Sequence, residues 1–521
     1  MISILATHHD RHAATLVTAA FKRSLSQSMV KAINLAGLED ADFVVAINPD
    51  DDHGSQLIEW LRSAQKKLII FGLLPENLRC YLNLEKVEWP QPTSWSSSPA
   101  AASGAVAQSS AVIRYHAHAG LLGAGAWERP LERFDFMDEW NNMGYGAVRA
   151  DGSIWSLATP LLGQDSNRLA SVSNEAGIIS SYVTLHEYPA ASVLWVNRAA
   201  GLIDSFEWRL IENFISRWRG EELPCLPVIS EIPYGYDAVV TMRLDCDEDI
   251  SSARPLWEAY QGMGVPLSLA IHSKVLESTE QQDFLKEFAD AGEAVLCHTA
   301  THAPNWGGSY AAAREEALTS RQRILETTGV RVRYAVSPFH HSPPYALAAL
   351  SDVGYEGCIG GIICNDPDFL LARAGELADL PAGFVGHSQQ CMLHGDCMLN
   401  DDDPLATYKA AFDQARETKT LFGFLDHPFS PRYQYGWSDE ETRVQRHREL
   451  IEYIQRSAEA PLFWDEITAL DFVQAKSKIQ IRATRTGFEL FSSVEPADMR
   501  ETIALEYKGK TIAFAPGAIV N

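Results

Sequence analysis

The sequence predicts an α/β protein: a distorted (β/α) barrel of seven or eight strands, preceded by an α/β parallel-sheet domain and followed by a short β-rich tail. Three observations predict it. From about residue 232, short apolar strand candidates alternate with helical stretches over about 230 residues, the pattern of parallel strands joined by crossover helices. Residues 1 to about 92 alternate in the same way on a smaller scale. Beyond about 476 the helical periodicity stops and only short strand patterns follow. The length agrees, since 521 residues exceed one ordinary core and imply about two to four domains.

In the first domain, 1–230, Ile2 to Ala6 reads as a strand and Arg11 to Leu25 as a helix. Ala41 to Ile47 is a second strand, ending at Asn48-Pro49-Asp50. A helix over Gln56 to Lys67 and a strand over Lys67 to Phe71 follow, the latter ending at Gly72. Pro90 to Ala111 is rich in Pro, Ser and Ala with almost no charge, as in a linker or long surface loop. Strand patterns then recur at Ile154 to Ala158, Ile178 to Leu185 and Ser192 to Val196. A turn over Asn197 to Gly201 leads into a helix over Asp204 to Arg219. That last strand, turn and helix would return the chain to the first sheet and make the low-charge stretch an excursion within one domain. The region resembles the flavodoxin-like or amidotransferase-like accessory domains found beside carbohydrate enzymes, and it carries no nucleophile motif. His8, His9, His12 and His53 read as surface-loop residues.

The second domain, 232–475, has strand candidates at 238–245, 266–272, 294–299, 334–339, 357–361, 385–393, 421–427 and 461–464. Helices are expected at 251–263, 280–291, 310–327, 343–353, 405–418 and 438–457. In such barrels the chemistry sits at the C-terminal strand ends. There the stretch Val239 to Asp249 runs into Asp245 and Asp247, and crowded carboxylates are costly unless a metal or a cation compensates. His298 and His302 follow the third strand, and His427 ends a late one. The spacing His298-Thr299-Ala300-Thr301-His302 would suit a helix, but a strand precedes it and Pro304 follows closely, so the pair belongs on a strand end and tight loop. One carboxylate and two imidazoles leave positions open on a divalent metal ion, Zn2+ above all, for water and a carbonyl oxygen. The metal brings the pKa of its water toward about 7, and a neighbouring carboxylate takes the proton. One acid of the pair should ligate and the other abstract.

Asp245-Cys246-Asp247 at a first strand end, His298-x-x-x-His302 at a third and Leu425-Asp426-His427 at a late one resemble the polysaccharide deacetylases with a NodB homology domain (carbohydrate esterase family 4). The resemblance spans roughly 235 to 470. Members are metal-dependent enzymes that remove N-acetyl, sometimes O-acetyl, groups from sugars such as chitin or peptidoglycan. By that resemblance Asp245 is the general base, Asp247, His298 and His302 bind metal, and His427 is the general acid on the leaving amine. The usual first motif has adjacent aspartates, and a D-x-D variant is known. The third motif usually carries an arginine before a proline that orients the base. Here Ser337 stands before Pro338, and Arg243, two residues from Asp245 on the same strand face, is the candidate substitute. His340 and His341 would line the groove or sit in a loop. The motif that tunes the acid histidine has no recognisable counterpart; His387 to Asp396 occupies its place, with His394 and Asp396 as groove candidates. Trp306, before Gly307-Gly308, would offer a sugar-stacking face or fill the core. Asp249 fits a helix N-terminal acid.

The expected function is therefore a metal-dependent deacetylase acting on an N-acetylated sugar or oligosaccharide. Two alternatives stand beside it: a hydrolase of another linear amide or O-acetyl ester on the same site, and a catalytically inactive glycan-binding scaffold. A net charge of −25 argues against a nucleic-acid partner. The longest dense apolar run, Leu68 to Leu74, is far short of a membrane span, and the N-terminus has no basic signal-like region, so a cytoplasmic location is expected. The eight cysteines include no C-x-x-C pair, and Cys246 and Cys297 sit on strands as reduced thiols. The tail, 476–521, holds short strands at Lys478 to Ala483, Gly487 to Phe491, Ile503 to Tyr507 and Thr511 to Phe514, for packing or glycan contact. Oligomeric state and the identity of the sugar are not encoded in any motif.

Overall fold

A computed structural model describes residues 1–63, 65–90, 111–131, 133–134, 148–149, 155, 157–198, 205–360, 373–387, 391–398, 402–493 and 500–521. The expected linker falls on 91–110 and the turn before the helix at 205 on 199–204, both outside the described residues, as do Ile154 and Ser156.

The first sheet is assembled from nine strands: β1 (Ile2–Ala6), β2 (Val30–Ile33), β3 (Phe43–Ile47), β4 (Lys66–Phe71), β5 (Val112–Tyr115), β6 (Glu128–Pro130), β7 (Arg168–Asn174), β8 (Gly177–Tyr188) and β9 (Ala191–Val196). Their order is β2-β1-β3-β4-β9-β8-β7-β5-β6. The first five in that order run parallel, and the remainder extend the sheet antiparallel. Trp195 on β9 lies opposite Ile70 on β4, so the chain does return to its first sheet. Helix α1 (Arg11–Ser24) follows β1 as expected. Helix α2 (Asp51–Leu61) starts five residues earlier than its apolar pattern indicated, because the Asp50 carboxylate accepts the His53 backbone N–H at 2.9 Å and caps it there. Helix α3 (Ser205–Ser216) follows β9.

The second sheet is α/β and almost wholly parallel. It contains β10 (Ala238–Cys246), β11 (Ser268–Ile271), β12 (Ala294–Cys297), β13 (Tyr334–Val336), β14 (Gly357–Ile359), β15 (Gly375–Glu376), β16 (Val385–Gly386), β17 (Cys391–Met392), β18 (Phe422–Asp426) and β19 (Pro461–Trp464). The ladder runs β15-β16-β14-β13-β12-β11-β10-β18-β17, with β19 also on β10, and only β15 and β16 pair antiparallel. All nine residues of β10 are buried, as befits a strand covered on both faces. The expected strand 385–393 resolves into β16 and β17, which pair with β14 and β18 at opposite ends of the ladder; 388–390 between them lie outside the described residues. Among the described residues no ladder joins those two ends. The crossover helices are α4 (Arg254–Met263), α5 (Thr279–Asp290), α6 (Tyr310–Thr328), α7 (Pro344–Asp352), α8 (Ala406–Thr418) and α9 (Glu440–Ser457), close to their expected spans.

Helix α10 (Glu466–Ser477) crosses the boundary expected at 475/476. The tail strands that follow are built into the molecule. Ala504–Tyr507 pairs with Val228–Ile229, and Ile481, Leu490, Ile503 and Leu505 share one apolar core with Phe21, Trp208 and Phe214 of the first sheet's helices. Among the described residues no helix is long and apolar enough to cross a membrane.

A buried ion pair ties α3 to the segment entering β15. Arg373 donates to both oxygens of Glu212, from Nε at 2.9 Å and Nη2 at 2.7 Å, and Arg209 and Ser24 donate to the same carboxylate. Burial by itself would raise the Glu212 carboxyl, but the Arg373 charge and hydrogen bonds outweigh it and hold it at about 2. A carboxyl held below its unfolded value of 4.5 stabilises the fold above that pH and loses the contribution as pH falls toward about 2. At about 1.4 kcal/mol per unit this is about 3 kcal/mol. Glu212→Ala also strands a buried guanidinium, so at pH 7 it should lower unfolding free energy by about 3–5 kcal/mol. Urea unfolding at pH 7 and pH 3 tests this, with a smaller difference from wild type expected at pH 3; equal differences at both would contradict it.

Candidate metal centre

Asp247, His298 and His302 converge at the C-terminal ends of β10 and β12. Asp247 Oδ1 lies 3.3 Å from His298 Nε2 and 3.2 Å from His302 Nε2, with His427 Nε2 3.4 Å from the other oxygen. The loop that carries His302 is not helical: Thr299 and His302 adopt φ values of 67° and 52°. Glu316 on α6 holds that loop by accepting the Ala300 and Thr301 N–H groups at 2.8 Å each. His298 Nδ1 is 3.0 Å from the Val336 carbonyl oxygen, which can only accept, so this nitrogen carries the hydrogen. In the neutral ring Nε2 then presents a lone pair to a carboxylate oxygen that is buried and has no hydrogen-bond partner. A lone pair facing an anionic oxygen is stable only with a proton or a cation between them. The donor set and its burial fit a divalent cation. The same contacts pull the Asp247 carboxyl well below the usual range despite its burial, raise His298 against its own burial through Asp245 and Asp247, and leave His302, buried beside His298, at about 4.

Asp245 lies beneath this cluster, 2% exposed. Arg243 grips both its oxygens, Nε to Oδ1 at 2.7 Å and Nη2 to Oδ2 at 3.2 Å. Burial would raise the Asp245 carboxyl, yet the Arg243 charge holds it at about 2, so it is anionic at any ordinary pH. Residues two apart on a strand share a face, which is why one strand carries both members of the pair.

On the far side, His427 Nδ1 lies 2.7 Å from His394 Nε2, and the Tyr435 ring stacks on His427 at 4.1 Å between centroids. Asp426, adjacent to His427, is wholly buried and accepts from Arg443 Nε at 2.7 Å, with His447 Nε2 at 3.0 Å. Burial would raise its carboxyl, and the Arg443 charge more than reverses that.

Comparison with known proteins bears on this arrangement. Residues 263–358 match the polysaccharide deacetylase family model. The matched stretch contains His298 and His302 but not Asp245, Asp247 or His427. A structure from Mycobacterium smegmatis assigned as a polysaccharide deacetylase is 14% identical, covering 49% of this chain and 96% of that one at a TM-score of 0.38. A family 4 acetyl xylan esterase from Clostridium thermocellum, in complex with a cobalt ion, is 9% identical over 45% of this chain and 90% of its own, TM-score 0.31. A carbohydrate esterase family 4 pseudoenzyme from Bacillus anthracis is 14% identical over 48% and 71%, TM-score 0.31. Curated protein sequences gave no match.

Around the cluster, several sequence candidates fall elsewhere. Ser337, in the place of the expected arginine, is buried against Ser342 Oγ at 2.7 Å and Cys358 Sγ at 3.3 Å and makes no described contact with Asp245. Trp306 offers no stacking face: it is 0% exposed, because Asn305, Trp306 and Gly307 all adopt positive φ and turn the indole inward, its Nε1 donating to the His341 carbonyl at 3.1 Å. Asp396 is exposed and packs against the Gly436 backbone. Asp249 accepts from Ser252 N and Ser251 Oγ in the short turn before α4. His394 does join the centre. His340 lies among Asp245, Arg243, His298 and His427, where burial lowers its pKa to about 3. His341 is half-buried, its ring nitrogens without partners. The sequence reading missed Tyr435, whose hydroxyl donates to Asp247 Oδ2 at 3.5 Å, and His272, whose Nδ1 is 2.9 Å from the Asp247 carbonyl oxygen. His272 lies just beyond β11, a strand end in the same series, and that position was the available signal.

Proposed function

We propose that the centre binds a divalent cation, Zn2+ above all, and that the protein hydrolyses acetyl groups from an N-acetylated sugar or oligosaccharide within a NodB-like barrel. The observation that carries this reading is a buried acid–imidazole cluster suited to a cation, with an arginine-paired Asp245 one residue away on the same strand. Asp247, His298 and His302 would hold the cation. When bound, it would supply Lewis acidity toward the acyl oxygen and lower the pKa of water. Asp245, kept anionic and aimed by Arg243, takes a proton from the attacking water. His427, backed by His394 and Tyr435, delivers a proton to the departing amine. The Arg243 pair speaks against an idle scaffold, since the orienting arginine absent from the third motif is supplied from β10 instead. The first sheet serves as an accessory to the deacetylase domain. Cys80, Cys225, Cys246 and Cys297 are free thiols, which supports a reducing, cytoplasmic setting.

The test is metal content of protein purified without chelator, combined with acetate release from N-acetylated mono- and oligosaccharides and from O-acetylated sugars. Stoichiometric divalent metal and acetate release from N-acetylated sugars are expected. Release from O-acetyl esters alone would shift the substrate class, and metal without any acetate release would favour the scaffold.

A further inference from the structure

Behind Asp245 stands a second carboxylate that the proposed reaction does not use. Glu466, the first residue of α10, is 0% exposed. Its Oε2 lies 2.7 Å from His387 Nε2, and its Oε1 lies 4.0 Å from Arg243 Nη1. The register explains the meeting. β19 runs parallel to β10 with Trp464 opposite Thr241, so two residues further on Glu466 comes level with Arg243. β16 ends at Gly386 and delivers His387 from another strand end. A carboxylate with no exposure is costly unless it is compensated. Here a guanidinium, an imidazole and the positive first turn of α10 surround it. The helix does not need Glu466 as its cap, because Asp465 accepts the Thr468 N–H at 2.8 Å and fills that role. The Glu466 backbone is fixed as well, its N–H donating to Ser268 Oγ at 2.9 Å.

We infer that Glu466 is a positioning residue that, together with His387, holds the Arg243 guanidinium from behind so that it stays on both oxygens of Asp245. The inference rests on the proposed role of Asp245 as the base. The base is then aimed by a line of four buried groups, Asp245, Arg243, Glu466 and His387, supplied by the ends of β10, β19 and β16. The Glu466 charge, 4.0 Å from Nη1, draws on the end of the guanidinium that does not hold Asp245 and opposes its rotation off that carboxylate.

The full chain carrying Glu466→Ala or Glu466→Gln tests this, with two readouts. In a crystal structure of Glu466→Ala the contacts from Arg243 to Asp245, 2.7 and 3.2 Å in the native chain, should open at one or both oxygens; unchanged distances would overturn the inference. In acetate release, Glu466→Ala should lower kcat by about 10–100-fold while KM and chelator-measured metal affinity stay within about twofold, and Glu466→Gln should lose a comparable amount, because the 4.0 Å approach to Arg243 is an ion pair and not a hydrogen bond, and the carboxamide carries no charge. An unchanged kcat, or parallel losses in kcat, KM and metal affinity in both variants, would mark a merely structural residue and overturn it. If the native chain releases no acetate, the proposed function falls, and the crystallographic distances still decide the positioning claim.

Discussion

Asp245→Asn is expected to lose about 100–10,000-fold in acetate release while keeping its divalent metal, the range in which a positioned proton acceptor contributes. The substitution preserves size and leaves one oxygen to accept from Arg243, whose Nε donates to Asp245 Oδ1 at 2.7 Å. What it removes is the negative charge, and with it the ability to take a proton. The same change leaves a fully buried guanidinium facing a neutral amide, so part of any loss could come from instability, since uncompensated buried charge is costly. Metal content separates the two causes, because Asp247, His298 and His302 need an intact strand end to assemble. Acetate release at the native rate would remove Asp245 from the chemistry, and loss of metal together with activity would reduce it to a structural acid.

The parts of this site that were legible in the sequence are those whose geometry a strand dictates. Parallel strands share a direction, so residues ending successive apolar runs must meet at one rim; Asp245, Asp247, His298 and His427 could be brought together without coordinates. Period two along β10 put Arg243 on the face of Asp245, and the structure shows the contact. What was not legible depends on loops and on register. Trp306 follows two strand-end histidines and looked available for stacking, but positive φ at three consecutive residues turns it into the core. Ser337 fills the expected sequence slot of an arginine whose counterpart contact is supplied from another strand. Glu466 reads as one more acid opening a helix, and only the alignment of β19 with β10 reveals what it faces. Tyr435 belongs to the loop after β18, where φ of 51° aims it onto His427, and nothing in the local pattern signals that conformation. In the first sheet, β2 was missed because it is short and presents Lys31 and Ala32 to solvent, which breaks the apolar run that marks a strand.

His298→Ala should abolish the stabilisation expected from added Zn2+ and lower metal affinity by more than about 100-fold, beyond the range seen when only an outer partner of a ligand is lost. His298 is the most constrained member of the cluster, 2% exposed and tied through Nδ1 to the Val336 carbonyl, so its Nε2 direction is fixed before any cation arrives. Fixing the donor in advance saves the ordering entropy that binding would otherwise require. A ligand that binds only the folded state raises stability by about 4 kcal/mol at a thousandfold excess over its Kd. Calorimetric melting with chelator and with excess Zn2+ therefore should show a large upward shift for the native chain and almost none for His298→Ala. The metal-free His298→Ala should itself melt below the native chain, because the change leaves the buried Val336 carbonyl without its donor and opens a cavity, so the site is tested by the Zn2+-induced shift within each protein. A native chain that melts identically with and without Zn2+ would dismiss the cluster as a metal centre, whereas a shift that survives in His298→Ala would move the cation elsewhere, to a set of donors that does not need β12.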